Sequence, residues 1–510
     1  MNNTIPDEIE EFFSKESGSS LIVQGLPGAG KTLFALELLE EFTEFNPIYL
    51  STRVPLDALY EQFPRLKKRY KETQLIDACK KFLKTPPNND IELVENARNF
   101  LKMIGYGKKD TEKRVSRVNK YQLEFYGLFD GQDKVTDLNE IILACDKIDS
   151  NLPKPSILIL DSVEGLCSKY RIPEVDLIEM LNEILVSQVN TKLILILEKQ
   201  YDIGLDYLVD GVITLHYKET NGRLYRSIEL NKLRGLKIDQ PKYLFTLNNG
   251  RFKSFKSFKA KYPKEHKRFK IIPDNKIYFS TGIKDLDHIL DGGYPRGSYV
   301  LLEIGKKVDY DFLGHIPMLT AANFVSQNKG VVMHSVGGNG IKEVMNYVFR
   351  YGLGDKLNLF RVVIEENPEE PRTENFVVTY PTNYKNNGFN ILDSELQKLR
   401  NEIKDDVLKI VDYSILETQL GKEILPRLII SDKKYISANN LLAIVISRNS
   451  NSNEIKDMLS DAANIHLKLE KKNRALILYC EKPETCLYAV EPDSEALDNG
   501  YPDIKLTPIV

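Results

Sequence analysis

The sequence predicts an α/β fold with mostly parallel sheets flanked by helices. Three observations carry this. Short, continuously apolar runs such as Ser156–Leu160 (SILIL) and Leu193–Leu197 (LILIL) suit strands buried on both faces. These runs alternate with helical spacing, as in Leu33–Phe42 (LFALELLEEF). A glycine-rich loop, GLPGAGKT at 25–32, joins the first strand to the first long helix.

Leu21–Gln24 (LIVQ) reads as the strand that enters the loop, and Pro47–Leu50 (PIYL) as the next strand. Helical and mixed segments follow to about residue 150. Val212–Tyr217, Tyr225–Leu233 and Lys242–Leu247 read as later strands, the last two as an antiparallel extension. A new globular pattern opens at Ser280. In it, Ile283–Leu290 is helix-like, and Tyr299–Glu303, Gly330–His334 and Leu441–Ile446 are strand-like. Residues 366–390 are rich in Pro and Asn and predict a long loop. The 510 residues are enough for two or three domains.

Composition narrows the function classes. At 42% hydrophobic and 28% charged, the chain reads as an ordinary soluble globular protein. The net charge of −3 gives no global attraction to nucleic acid. No apolar run reaches the length of a membrane span, and the acidic start MNNTIPDEIEEFF lacks a secretory pattern, so a cytoplasmic location is expected. Cys79, Cys145, Cys167, Cys480 and Cys486 are scattered and odd in number, which argues against a disulfide framework or a structural zinc site.

The loop carries the chemistry. Gly25, Leu26, Pro27, Gly28, Ala29, Gly30, Lys31 and Thr32 match G-x-x-x-x-G-K-[ST] between a strand and a helix. Glycines let the chain curl until its N–H groups face phosphate oxygens, and the helix N-terminus adds positive potential. Lys31 is expected on the β- and γ-phosphates of ATP, and Thr32 on Mg²⁺. Asp161 ends a buried strand in SILILDS and is the candidate for the other side of the metal; an Asp there can also cap the next helix.

Together GLPGAGKT, ILILDS and NKLRG (231–235) resemble the KaiC branch of the RecA-like ATPases. The segments Ile5–Thr32 and Tyr49–Val54 (YLSTRV) resemble most the archaeal KaiC-related group that contains the gas-vesicle regulator GvpD. The likeness covers residues 5–255. Ser280–Ser298 (STGIKDLDHILDGGYPRGS) resembles a second KaiC-domain entry, but the next strand leads into IGKKVDYDF with no GK[ST]. Asp412 in KIVDYS is read as the relic of a second metal-side strand.

The resemblance thus implies two tandem RecA-like domains, the second degenerate. The expected layout is an ATPase domain at 1–255, a basic linker at 256–275, a degenerate domain at 276–490 and a tail at 491–510. It also implies a ring or filament of identical chains, in which Lys232 and Arg234 reach the γ-phosphate of a neighbour.

One departure bears on catalysis. Family members carry one or two glutamates at the end of the strand after the phosphate-loop helix. This chain has Ser51-Thr52-Arg53 there. Glu164, just past Asp161, is the substitute candidate, Thr52 or Arg53 is the alternative γ-phosphate sensor, and Glu198-Lys199-Gln200 is a further polar cluster. Slow hydrolysis is expected.

Two basic stretches remain. Arg251–Lys270 interleaves cations with Phe252, Phe255, Phe258, Tyr262 and Phe269, and suits either nucleic-acid contact or aromatic packing, the second preferred. Lys108–Lys120 suits a solvated helix face. Three functions are therefore carried forward. The first is a slow ATPase that acts as a regulatory switch through a protein partner or assembly. The alternatives are a DNA-bound recombinase-type ATPase and a nucleotide-gated scaffold without turnover. The missing second phosphate loop argues against a clock role, which would need two competent ATP sites.

Overall fold

The computed structural model describes residues 4–64, 74–79, 138–199, 204–220, 222–259, 261, 268–309, 315–334, 341–365, 374–381, 387–448, 450–500 and 503–510. It divides into two units: Met1–Lys218 with Tyr225–Phe255, and Glu219–Leu224 with Lys256–Val510. The basic run Lys108–Lys120 lies outside the described residues. Among those described, no helix is long and apolar enough to cross a membrane.

In the first unit the strands are β1 (Ser19–Gly25), β2 (Asn46–Ser51), β3 (Gln74–Asp77), β4 (Ser156–Asp161), β5 (Lys192–Leu197), β6 (Gly211–Thr220), β7 (Arg223–Leu233), β8 (Lys242–Thr246) and β9 (Lys253–Phe255). They form one sheet in the order β3-β2-β4-β5-β1-β6-β7-β8-β9. Pairing is parallel from β3 through β6 and antiparallel from β7 through β9. The central strands are apolar throughout because both of their faces are covered. Ile22, Leu158, Leu160, Leu193 and Leu195 enter one core, while Leu21, Val23, Ile157, Ile159, Ile194 and Ile196 enter the other. This is the period of two that a strand imposes. Each such side chain contributes roughly 1.5–3 kcal/mol on burial, so the sheet that aims the loop is stiff. The helices include α1 (Asp7–Phe13), α2 (Lys31–Glu41), α3 (Leu56–Gln62), α4 (Asn139–Asp149), α5 (Val163–Tyr170) and α6 (Glu174–Leu181).

The second unit repeats this plan. After the short antiparallel pair β10 (Tyr278–Phe279) and β11 (Tyr294–Pro295) come β12 (Tyr299–Ile304), β13 (Gly330–His334), β14 (Phe360–Glu365), β15 (Val377–Tyr380), β16 (Val407–Asp412), β17 (Leu442–Arg448), β18 (Ile465–Lys472), β19 (Ala475–Lys482), β20 (Tyr488–Pro492) and β21 (Ile504–Pro508). Their order is β15-β14-β13-β16-β17-β12-β18-β19-β20-β21. Laid on the first sheet, β12 takes the place of β1, β16 of β4, β17 of β5 and β13 of β2. Both units are therefore mixed α/β with mostly parallel sheets, consistent with RecA-like domains of the KaiC type.

Two expectations change. Residues 491–510, read as a tail, carry β21, which pairs antiparallel with β20 and buries Ile504 and Leu506 in the core. Their acidic and Pro-containing composition hid a short edge strand. Within 366–390, read as a loop, β15 pairs with β14, and a helix over Asn387–Ile403 begins. The aromatics of the basic stretch are packed: Phe252 and Phe255 are buried, Phe269 joins the second unit's core and Phe258 packs against it. Tyr262 lies outside the described residues. None of the five cysteines forms a disulfide.

Candidate nucleotide site

β1 ends in the loop and α2 begins at Lys31, so the loop sits on a helix N-terminus beside the carboxyl ends of the strands. This is where open α/β sheets bind ligands. Gly30 has φ 98°, and a Cβ on it would stand 2.7 Å from Leu247 Cδ1. Gly28 has φ 80° with open space around it, so backbone conformation alone selects glycine there. The carbonyl of Gly28 accepts from Arg226 Nη1 at 3.0 Å.

Lys31 is largely buried. Its ammonium donates to the carbonyls of Gly25 (2.7 Å) and Leu26 (3.0 Å), inside the curl of the loop. Burial lowers its proton affinity. Glu198, then Asp161 and Glu164, oppose that loss, and Arg53 adds to it. Five charged groups are therefore gathered at one end of the sheet.

Thr32 Oγ1 donates to Asp161 Oδ2 at 2.8 Å. A hydroxyl and a carboxylate on adjacent elements form an oxygen pair suited to Mg²⁺. Tyr49, fully buried on β2, also donates to Asp161 Oδ2, at 2.5 Å. Burial and the neighbouring Asp161 carboxylate push its phenol well above the usual range. Sequence reading passed over Tyr49 because an aromatic in a strand looks like core. Only the β2–β4 register, which sets Ser51 against Asp161, reveals its second role.

Past Asp161, Ser162 caps α5 by accepting from the Gly165 amide at 3.4 Å. Thr52 Oγ1 accepts from the Ser162 amide (2.7 Å) and donates to its carbonyl (3.0 Å). Its hydroxyl is thus committed to the backbone after Asp161. Gly165 makes this possible, since a Cβ there would lie 2.1 Å from Thr52 Oγ1. Glu164, on α5, is buried and accepts from the Glu198 amide at 2.6 Å. Its other oxygen, Oε2, is buried without a hydrogen-bond partner among the described residues. Arg53 forms an ion pair with Glu198. Lys199 bonds Glu174 at 2.7 Å, and its carbonyl accepts from the Gly25 amide at 3.2 Å. Gln200 lies outside the described residues.

Lys232 and Arg234 stand elsewhere. Lys232 Nζ donates to the carbonyls of Asp206 (2.8 Å) and Val209 (2.7 Å). Arg234 Nη1 donates to Asp210 Oδ1 at 2.9 Å, and Asp210 Oδ2 accepts from the amide of Ser20. Ser20 is the second residue of β1 and Gly25 the last, so the pair sits about 17 Å along the strand from the loop at roughly 3.3 Å per residue. The fold does not bring them to Lys31 of the same chain. The Arg234 side chain is 64% exposed.

The matching place in the second unit is built differently. Asp412 is fully buried; its Oδ2 accepts from Arg448 Nη2 at 2.6 Å and its Oδ1 from the Ser414 amide at 2.9 Å. Burial raises its proton affinity, against Arg448. The loop after β12 begins Gly305-Lys306-Lys307, with both lysines exposed.

Comparison with known proteins agrees with this geometry. Residues 9–123 match the model of the GvpD gas vesicle protein P-loop domain, 118–254 that of KaiC, and 268–348 that of GvpD basic region 2. The protein GvpD2 of Halobacterium salinarum is 24% identical over 99% of this chain and 96% of its own length. Protein GvpD1 of the same organism is also 24% identical, with the same coverage. The loop, the Thr32–Asp161 pair and the repeated sheet agree with these matches: the chain is similar to GvpD proteins over nearly its whole length, and its residues 118–254 are similar to the KaiC ATPase.

Proposed function

We propose that the chain is a nucleotide-driven regulatory switch. ATP held with Mg²⁺ at Gly25–Thr32 and Asp161 is hydrolysed slowly, and its state sets the assembly or partner affinity of the chain. The observation that supports this most is the convergence of Lys31, Thr32, Asp161 and Glu164 at the carboxyl ends of β1 and β4. The loop amides and Lys31 would bind the β- and γ-phosphates, with the ammonium exchanging loop carbonyls for phosphate oxygens. Thr32 and Asp161 would hold Mg²⁺, which supplies charge neutralisation when bound. Loss of the γ-phosphate would release the contacts that order the surrounding loops.

The likeness to GvpD proteins over the whole length supports placing the switch in gas-vesicle control. The position of Lys232 and Arg234 favours contact with a neighbouring chain's nucleotide over their own, and hence a homo-oligomer. A scaffold without turnover is favoured by one observation, the absence of a carboxylate at Ser51–Arg53. For a DNA-bound recombinase no specific observation speaks, since Phe252 and Phe255 are core residues.

The test is phosphate release per chain against protein concentration. A rate that climbs with concentration is expected, with Lys31→Ala and Arg234→Ala each inactive. Mixing the two variants should restore activity, because one supplies an intact loop and the other the reaching arginine. No restoration in mixtures would end the intersubunit reading.

A further inference from the structure

A water-activating carboxylate has to lie beyond the γ-phosphate, close to Lys31 but off the metal-side oxygens. β2, where the sequence invites a search, offers Ser51, Thr52 and Arg53 instead. The sheet order points to another strand. β5 lies between β4 and β1, so its carboxyl end falls between Asp161 and the phosphate loop. The residue that follows β5 is Glu198. The Gly25 amide bonds the next carbonyl, that of Lys199, which ties this strand end to the loop.

We propose that Glu198 is the residue that orients and deprotonates the attacking water, and that Arg53 restrains it until the polyphosphate arrives. The proposal rests on the ATPase reading above and names a residue for it. Three observations bear on it. The Glu198 backbone is held from below by Glu164, through the 2.6 Å bond to its amide. The Glu198 side chain is 31% exposed, so water reaches it, whereas Glu164 is buried. Arg53 is 48% exposed and lies on the solvent side of the pair, where its side chain is free to turn toward an incoming polyanion.

The arrangement is a swap: a cation on β2 and a carboxylate on β5. In the step itself, the water oxygen bonds to the γ-phosphorus as the bond from that phosphorus to the β–γ bridging oxygen breaks. The bond's electron pair leaves with ADP. The water's proton passes to the Glu198 carboxylate and from there to the phosphate product. The second unit makes the contrast. Asp161 pairs with Ile196 across β4–β5, and Asp412 with Ile446 across β16–β17. Glu198 and Arg448 therefore occupy corresponding places, and Arg448 is bound to Asp412. A guanidinium there can take no proton from water.

The experiment uses the full chain and Glu198→Gln. Phosphate release gives kcat, and titrations with Mg²⁺ and either ATPγS or ADP give affinities. The expected result is a loss of kcat of roughly 10²–10⁴-fold, with the ratio of ATPγS to ADP affinity rising severalfold because a negative charge beside the γ-phosphate is gone. Arg53→Ala should raise kcat severalfold by freeing Glu198; a fall as deep as that of Glu198→Gln would overturn the restraint. Turnover in Glu198→Gln within about threefold of the parent would overturn the catalytic assignment, as that is far below the effect of losing a general base. So would an equal loss of both nucleotides. A parent chain that binds ATPγS but releases no phosphate would also overturn it, leaving nucleotide binding intact. A parent that binds neither nucleotide would instead refute the function proposed above.

Discussion

Asp161 and Asp412 end the same strand of two like sheets, and their surroundings differ in kind. Asp161 faces two neutral hydroxyls, of Thr32 and Tyr49, and is partly accessible. Asp412 is fully buried against Arg448. Where Tyr49 stands opposite Ile159, the second sheet sets Met333 opposite Ile410. The first carboxylate keeps lone pairs for a cation from outside. The second has its cation built in. At the end of β17, Arg448 makes the corresponding position a structural ion pair, as a buried carboxylate needs a permanent partner.

Three experiments press on this comparison. The largest expected effect is on nucleotide affinity. Lys31→Ala should weaken ATP binding by roughly 100-fold, as loss of charge-assisted bonds to phosphate implies. Lys306→Ala with Lys307→Ala should leave it unchanged by calorimetry, and a comparable loss there would revive the second site.

Next comes stability. Asp412→Ala strips Arg448 of its buried carboxylate and should destabilise the second unit by about 3–5 kcal/mol. Asp161→Ala removes an acceptor from two hydroxyls and should cost about 1–3 kcal/mol, while abolishing the Mg²⁺ dependence of ATP binding. Urea unfolding followed by hydrogen exchange reads both. Equal costs would mean the two aspartates do the same work.

The smallest effect is on pH dependence. His315 and His334 in the second unit are buried, and burial lowers their pKa to about 4. Unfolded imidazoles protonate near the ordinary value of about 6.5. Between those values the unfolded chain binds more protons than the folded one. Stability is therefore fully present above about 6.5 and falls as pH drops toward 4, by at most about 1.4 kcal/mol per pH unit for each imidazole. In the first unit the described histidine, His216, is 21% exposed and paired with Glu229, which opposes the effect of burial, so its contribution is smaller. Acid should loosen exchange protection around His315–Ser326 before it loosens β1 or β4. His315→Phe should shrink that difference.

Legibility followed the type of signal. β1, β4, β5 and β13 could be read because strands covered on both faces must be apolar throughout. The loop could be read because phosphate binding fixes glycines and a lysine at set spacing. β20 and the edge strand β21 escape such a reading, since partly exposed strands carry polar and Pro residues. In the sequence Glu198 stands out only as one of a polar cluster, and Tyr49 only as part of a strand and of the YLSTRV segment. Neither has local spacing to Lys31 or Asp161 that a linear reading can score.

The sequence by itself determined the fold class, the phosphate loop and the lack of a second one, because each depends on residues adjacent along the chain. Only the tertiary structure decided which side chains share the loop's end of the sheet. Strand order, not chain order, sets β5 between β4 and β1. That order brings Glu198, Glu164 and Arg53 to Lys31 and leaves Lys232 and Arg234 at the far end, and the matching order of the second sheet, with β17 beside β16, locks Asp412 to Arg448.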